Sequence, residues 1–211
     1  MNDDQLVLIC DDEAAVRDAL AWLMRSRGLN ARGFASGEEL LEFLRTPQIG
    51  SPLVVVLDVR LGSASGIEIF ERMRAQPWHA AVPVIFLTGH GDIPMAVDAV
   101  KRGAFDFFEK PFNDNALVDR VLTALELARA NLQKHQAADV VKRRYASLSE
   151  RERQVMRLVL AGKLNKQIAD ELDIAMRTVE VHRASVFEKM AVRSAVELAQ
   201  VAAQYAEAVR G

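Results

Sequence analysis

A single cysteine, Cys10, stands in the 211 residues, so the chain holds neither an internal disulfide framework nor a multi-cysteine zinc site. Long apolar runs are missing as well, and none reaches the roughly 18–20 residues that a membrane-spanning helix needs. The N-terminus, MNDDQLVLICDD, is acidic where a secretory signal is basic, and its apolar stretch is only LVLIC. Together these absences predict a cytoplasmic protein without membrane attachment. Proline does not occur after Pro111, and no glycine lies between Gly103 and Gly162. The stretch from Asn113 to about Tyr145 therefore lacks both strong breakers. Its apolar residues Leu117, Val121, Leu125, Ala128 and Leu132 recur at helical spacing, which predicts a helix that closes one domain and runs on into a polar, helical linker. The tryptophans, Trp22 and Trp78, and Cys10 inside an apolar run are expected as packing groups.

What is present is ordinary globular composition, 50% hydrophobic and 27% charged. The net charge of −2 conceals an imbalance: 19 acidic against 13 basic residues over 1–130, but 10 against 14 over 131–211. An acidic and a basic half point to different partners, although surface charge also drifts without function.

Before the long helix, apolar β-branched runs at Leu6–Cys10, Leu53–Leu57 and Val84–Thr88, with weaker ones at Asn30–Phe34 and Phe105–Phe108, alternate with helical stretches near 13–27, 37–45, 66–75 and 92–102. Ser36 with Glu39 forms a capping-box pattern for the second of these helices. Five strands each followed by a helix predict a doubly wound, five-stranded parallel sheet, and LVVVL suits a strand covered on both faces. After the linker every signal is helical. Ser149 with Glu152 opens a helix that ends at Gly162, Asn165 is expected to cap a short one, and two more follow near 176–190 and 194–206. The expected division is an α/β domain over 1–125, a helical linker over 126–147 and a small all-α domain over 148–211.

In such a sheet the carboxyl ends of the strands line one crevice. Asp11 and Asp12 close the first strand and Asp58 the third, and gathered carboxylates repel one another unless a cation or proton intervenes. Few hard oxygen donors suit Mg²⁺. Thr88 and Lys110 would add a hydroxyl and an ammonium to the same rim, a donor and a charge for an anionic group. Each Asp alone is equally a cap or turn residue; the combination at four strand ends is what points to a site. A phosphatase of the haloacid-dehalogenase type would carry a DxD nucleophile motif, whereas Asp58 is followed by Val59-Arg60, and no glycine-rich nucleotide loop is present.

The acidic pair, LDVR around Asp58, FLTGHGD and FFEKPF together resemble the receiver domain of two-component systems, with its flavodoxin-like fold. The resemblance implies that Asp58 accepts a phosphoryl group from a sensor histidine kinase. It implies that Asp11, Asp12, Asp58 and the Arg60 backbone carbonyl hold Mg²⁺, and that Thr88 and Lys110 contact the phosphoryl oxygens. Thr88 and Phe107 match the switch positions, and Lys110–Pro111 a peptide bond that is usually cis. The LGSASG stretch departs from the family's usual Met-Pro pair, and Gly62, Ser63 and Ser65 predict a more flexible loop there. His90 would lie on the pocket rim.

The all-α part contains a short helix, a turn at Asp173–Ala175 and a longer helix, a helix-turn-helix arrangement whose second helix would enter the major groove. A plain helical bundle with a solvated charged face would show the same pattern. Ile168, Ala169 and Leu172, then Val179, Val186 and Met190, are the expected core. LSERE, NKQIADELDI and RTVEVHR…KM resemble the FixJ-like branch of the NarL/LuxR DNA-binding domains. Candidate DNA contacts are Asn165, Lys166, Arg177, Thr178, Val179, Glu180, His182, Arg183 and Lys189, with Arg177, Lys166 and Lys189 on phosphates and Glu180 and Arg183 on base edges. Ala175 replaces a serine common before that helix, which weakens its cap.

The combined resemblance implies a response regulator, not an enzyme beyond its own phosphoryl chemistry. Phosphorylation would promote a homodimer that binds promoter DNA, with RNA polymerase as a further partner. The alternative is a DNA-binding regulator or scaffold that acts without phosphorylation.

Overall fold

The computed structural model describes residues 5–45, 50–62, 64–89 and 93–206. The chain divides into two compact units, residues 1–133 and 134–211.

The first unit is a parallel sheet of β1 (Leu6–Cys10), β2 (Asn30–Phe34), β3 (Leu53–Asp58), β6 (Val84–Thr88) and β7 (Asp106–Glu109), in the order β2-β1-β3-β6-β7. Every pairing in it is parallel, so all the strands end at one edge. Alternation then sends side chains to two separate cores. Leu8, Cys10, Val55, Leu57, Val84 and Phe86 face one side and join Leu40, Leu44, Ile69 and Met73, which come from α2 (Gly37–Arg45) and α3 (Gly66–Arg74). Val7, Ile9, Val54, Val56, Ile85 and Leu87 face the other and meet Leu20 and Met24 of α1 (Ala14–Ser26) and Leu117, Val121 and Leu125 of α5 (Asp114–Ala146). The remaining helix, α4 (Ile93–Lys101), adds Ala99 to the first core. This is the expected doubly wound sheet, with β1 and β3 as neighbours where the winding reverses.

Several local expectations change in detail. The Glu39 amide donates to the Ser36 hydroxyl oxygen, but the Glu39 carboxylate accepts from the Ala35 amide rather than that of Ser36. The stretch after Arg60 folds as a small hairpin of β4 (Arg60–Leu61) and β5 (Ala64–Ser65), turned by Gly62 at φ 60°. Ser65, expected to loosen that loop, caps α3 by accepting from the Ile67 amide; Ser63 and His90 lie outside the described residues. Trp78 packs on the first core as expected. Trp22 does not pack: it is 71% exposed. Leu20, Ala21, Leu23 and Met24 define the buried arc of α1, and two residues past Leu20 is about 200° around the helix. The span expected as linker is continuous with α5, a single helix of 33 residues. Asn131 within it donates to the Ala80 carbonyl at 2.6 Å, and Val141 joins the core of the second unit.

That second unit consists of the end of α5 with α6 (Glu150–Leu160), α7 (Asn165–Leu172), α8 (Met176–Met190) and α9 (Ala195–Gln204) around Val155, Met156, Ile168, Val179, Val186 and Leu198. Ser149 and Glu152 form the full capping box of α6. Between α7 and α8 the chain reverses through Asp173 in the left-handed region, φ 52°, a conformation that Asp tolerates better than most residues. Asn165 is the first residue of α7 rather than its cap; Leu164 holds the cap position, and the Gln167 side chain takes its amide at 2.8 Å.

One glycine sets the distance between α3 and the end of β3. A Cβ on Gly66 would stand 2.0 Å from the Asp58 carbonyl oxygen and 3.0 Å from its carbon, both backbone atoms. Gly66→Ala should therefore push the start of α3 off the end of β3 and cost about 1–3 kcal/mol, read as a lower urea midpoint with an unchanged slope.

Candidate functional site

Asp11, Asp58, Thr88 and Lys110 stand just at or beyond the ends of β1, β3, β6 and β7, and the parallel topology brings them to one edge. The Lys110 ammonium lies between two buried carboxylates, 3.0 Å from Asp11 Oδ2 and hydrogen-bonded to Asp58 Oδ2. The second oxygen of each carboxylate takes a backbone amide: Glu13 N donates to Asp11 Oδ1 and Arg60 N to Asp58 Oδ1, both at 2.9 Å. One ammonium thus serves two carboxylates. Burial raises the Asp58 carboxyl above the usual carboxylate range and adjacent Asp11 adds to it, against the pull of Lys110 and the Arg60 amide. For Lys110 burial works against the charge, but the two carboxylates outweigh it and hold the group above its ordinary value. The peptide bond after Lys110 is cis. Cys10, one residue before the pocket, is pushed up to about 12 by burial and by the neighbouring carboxylates, so its thiol stays protonated core.

Asp12 is brought to the rim but not into the cluster. It is exposed, and its Oδ2 lies 3.5 Å from where a Cβ on Gly62 would stand. Among the described residues no three acidic, His or Cys side chains already converge as a metal site. The donor set still fits a hard divalent cation. Two buried carboxylates with one counter-charge and a third at an open rim leave an oxygen-rich, electron-rich pocket, the setting in which Mg²⁺ keeps several waters.

Thr88 is fully buried and its hydroxyl donates to the Gly89 carbonyl at 3.2 Å. The register pairs Phe86 with Phe107 and Thr88 with Glu109, so Thr88 and Phe107 project from the same sheet face on adjacent strands, two positions apart. Phe107 is half-buried against the first core.

In the second unit α8 presents Arg177, Thr178, Glu180, Val181, Ala184 and Glu188 to solvent. Lys166 is exposed on α7, while His182 is half-buried. Four expected contacts are buried or already paired within the domain. Val179 is 0% exposed and belongs to the core, so it cannot touch DNA. Lys189 pairs with the buried Glu152 carboxylate at 2.7 Å while its own side chain stays 37% exposed, so its ammonium is already engaged within the domain. Arg183 and Asn165 are each other's partners, the guanidinium donating to Asn165 Oδ1 and lying 5.6 Å from the Phe187 ring centroid. Val181, which the sequence reading passed over, is 62% exposed. The signal was present: it stands one turn after Arg177, on the outer arc opposite Val179 and Val186.

Comparison with known proteins agrees with both units. Residues 7–122 match the response regulator receiver domain family, and residues 146–202 match the bacterial regulatory proteins of the luxR family. The chain therefore belongs to the two-component response regulators that join a receiver to a LuxR-type DNA-binding domain and regulate transcription. It is 48% identical to the C4-dicarboxylate transport transcriptional regulatory protein DctR of Rhodobacter capsulatus over 92% of this chain and 98% of that protein. It is 42% identical to the transcriptional regulatory protein FixJ of Bradyrhizobium diazoefficiens, over 93% of each chain. Among solved structures, the response regulator StyR superposes with a TM-score of 0.83 at 38% identity, covering 96% of this chain and all of that one (100%). Full-length FixJ from B. japonicum gives 0.55 at 40% identity, over 98% and 99% of the two chains. Receivers generally bind Mg²⁺ at their phosphorylation site and take a sensor kinase as partner. No helix of the described residues is long and apolar enough to cross a membrane.

Glu152 holds the recognition helix to the rest of its domain. Its carboxylate accepts from Lys189 Nζ, from Ser185 Oγ at 2.5 Å and from the Ser149 amide at 2.6 Å. These donors, Lys189 foremost, lower its pKa from 4.5 to about 2. A carboxyl depressed in the folded state stabilises above its unfolded value, and that stability fades as pH falls from about 4.5 toward about 2. Glu152→Gln should cost the second unit about 1–3 kcal/mol at neutral pH. The gap between variant and parent should close on acidification through that window, followed by helical circular dichroism in urea.

Proposed function

We propose that Asp58 is the phosphoacceptor, and that its phosphorylation by a sensor histidine kinase switches the chain to a homodimer that binds promoter DNA and engages RNA polymerase in the cytoplasm. The observation that carries this reading is the placement of a buried carboxylate against a single shared ammonium at the edge where all the strands end. An Asp58 oxygen attacks phosphorus, the bond from phosphorus to the donor nitrogen breaks, and the electron pair leaves with the donor imidazole. The three phosphoryl oxygens then need positive charge and donors. Lys110 is already in place to supply an ammonium, and the Arg60 amide fixes the acceptor carboxylate. Asp11, Asp12, Asp58 and the Arg60 carbonyl are the residues that would hold Mg²⁺, which when bound neutralises charge on the transferring oxygens.

The new group adds close to two negative charges beside Thr88. The Thr88 hydroxyl, now on a neighbouring carbonyl, is the donor that can turn toward it. Phe107 on the same sheet face is positioned to follow into the space vacated. Domain limits of 1–125 and 148–211, with 126–147 between, remain the working division, within which α5 spans the junction.

For DNA, the exposure pattern of α8 favours Arg177 and, on α7, Lys166 for phosphates. Thr178, Glu180 and Val181 form the face toward base edges, Val181 as an apolar surface for a thymine methyl group. Arg183 with Asn165, and His182 beside them, flank that face.

Incubation with a small phosphodonor and Mg²⁺ tests the acceptor. The parent chain should gain one phosphoryl group by mass spectrometry, Asp58→Asn none, and Asp12→Ala far less. Normal labelling of Asp58→Asn would move the acceptor elsewhere.

A further inference from the structure

The acidic pair is fastened to the sheet by a residue that touches neither carboxylate. Arg17, one turn into α1, donates both protons of Nη1 to backbone carbonyls, to that of Asp11 at 2.8 Å and that of Asp12 at 2.9 Å. These two carbonyls lie just past the end of β1, where the chain leaves the ladder. The arginine stem crosses β2 at Gly33, where a Cβ would stand 3.6 Å from Arg17 Cδ and 3.7 Å from its Cβ. On its other side the same loop is pinned by the Glu13 amide on Asp11 Oδ1. Lys110 and Arg17 therefore do different work. Lys110 occupies carboxylate oxygens and competes with any other cation for them, whereas Arg17 places its charge on carbonyls and leaves the carboxylate lone pairs of Asp12 open.

We propose that Arg17 is a positioning residue for the metal site: by clamping the Asp11 and Asp12 carbonyls it holds the two carboxylates in the geometry that a divalent cation requires, and so sets the affinity for Mg²⁺. The proposal rests on the reading of Asp11, Asp12 and Asp58 as that site. The physical basis is that an open, water-rich site has few protein ligands, so disorder in the segment carrying two of them must be lost on binding. Groups that orient metal ligands without touching the metal commonly contribute one to two orders of magnitude in affinity. Arginine suits the position better than lysine because the lysine nitrogen ends one bond, about 1.3 Å, short of Nη1, while the stem is fixed by its course over Gly33.

The test is calorimetric titration of the full chain with MgCl₂, without phosphodonor, for the parent, Arg17→Gln, Arg17→Lys, Gly33→Leu and Asp12→Ala. Both Arg17 variants should bind Mg²⁺ on the order of tenfold more weakly. Gly33→Leu should do the same by displacing the stem while leaving the guanidinium in the chain. In labelling assays, half-saturation by Mg²⁺ should rise in parallel while the maximal rate changes much less. A merely structural role would lower the urea midpoint in EDTA and leave the Mg²⁺ dissociation constant where it was, and that result would overturn the proposal. Arg17→Lys binding like the parent would overturn it too, since charge rather than position would then be what matters. Failure of the site reading has a separate signature: Asp12→Ala would bind Mg²⁺ as tightly as the parent.

Discussion

The Lys110 ammonium held between Asp11 and Asp58 is the contact on which the receiver site depends. Three strands contribute to it: β1 and β3 deliver the carboxylates and β7 the lysine from just beyond its end. They can meet only because the sheet is wholly parallel and every strand finishes at the same edge. Two buried carboxylates side by side would otherwise drive a proton onto one of them. A single ammonium removes part of that repulsion and leaves the Asp58 carboxyl raised. The residual shortage of positive charge is the property a divalent cation can answer, and it lies at the atom that the proposed chemistry uses.

The second unit contains the same pair of residue types with the opposite electrostatic outcome. Glu152 also faces a lysine, but it receives a serine hydroxyl and a backbone amide as well, and its carboxyl falls to about 2. A carboxylate with a surplus of donors is a fixed strut, and Glu152 uses it to tie α6 to α8. A carboxylate with a deficit is a site. The contrast explains why the Lys189 ammonium is engaged in the frame of the DNA-binding domain, and why Lys110 is the lysine available to an incoming anion.

Much of this is legible in the amino-acid sequence, and for identifiable reasons. Apolar β-branched runs such as LVVVL announced central strands, and charged residues directly after such runs had to gather at the carboxyl edge. Spacing alone placed Val186 and Met190 in the core. The same spacing implies the burial of Val179, which is incompatible with its place among the candidate DNA contacts. Other features were not local. That Lys189 reaches Glu152, 37 residues away in the chain, and that Arg183 is held by Asn165 depend on how α6, α7 and α8 cross, which no single-helix pattern carries. Trp22 is expected as a packing group, yet its phase on α1 opposes Leu20 and Met24. The Arg17 clamp is not legible in the sequence because its partners are backbone carbonyls, which every residue carries.

The central claim is that the state of the carboxylate cluster controls DNA binding. The most direct measurement is the affinity of the full chain for a fluorescent duplex that it has selected from a random pool, by anisotropy at fixed salt, with and without a small phosphodonor and Mg²⁺. Phosphorylation should tighten binding, and Asp58→Asn should abolish that gain while leaving basal binding intact. Equal affinity in both states, with the parent chain shown to be phosphorylated, would contradict the account and identify a DNA-binding regulator that works without the phosphoryl switch.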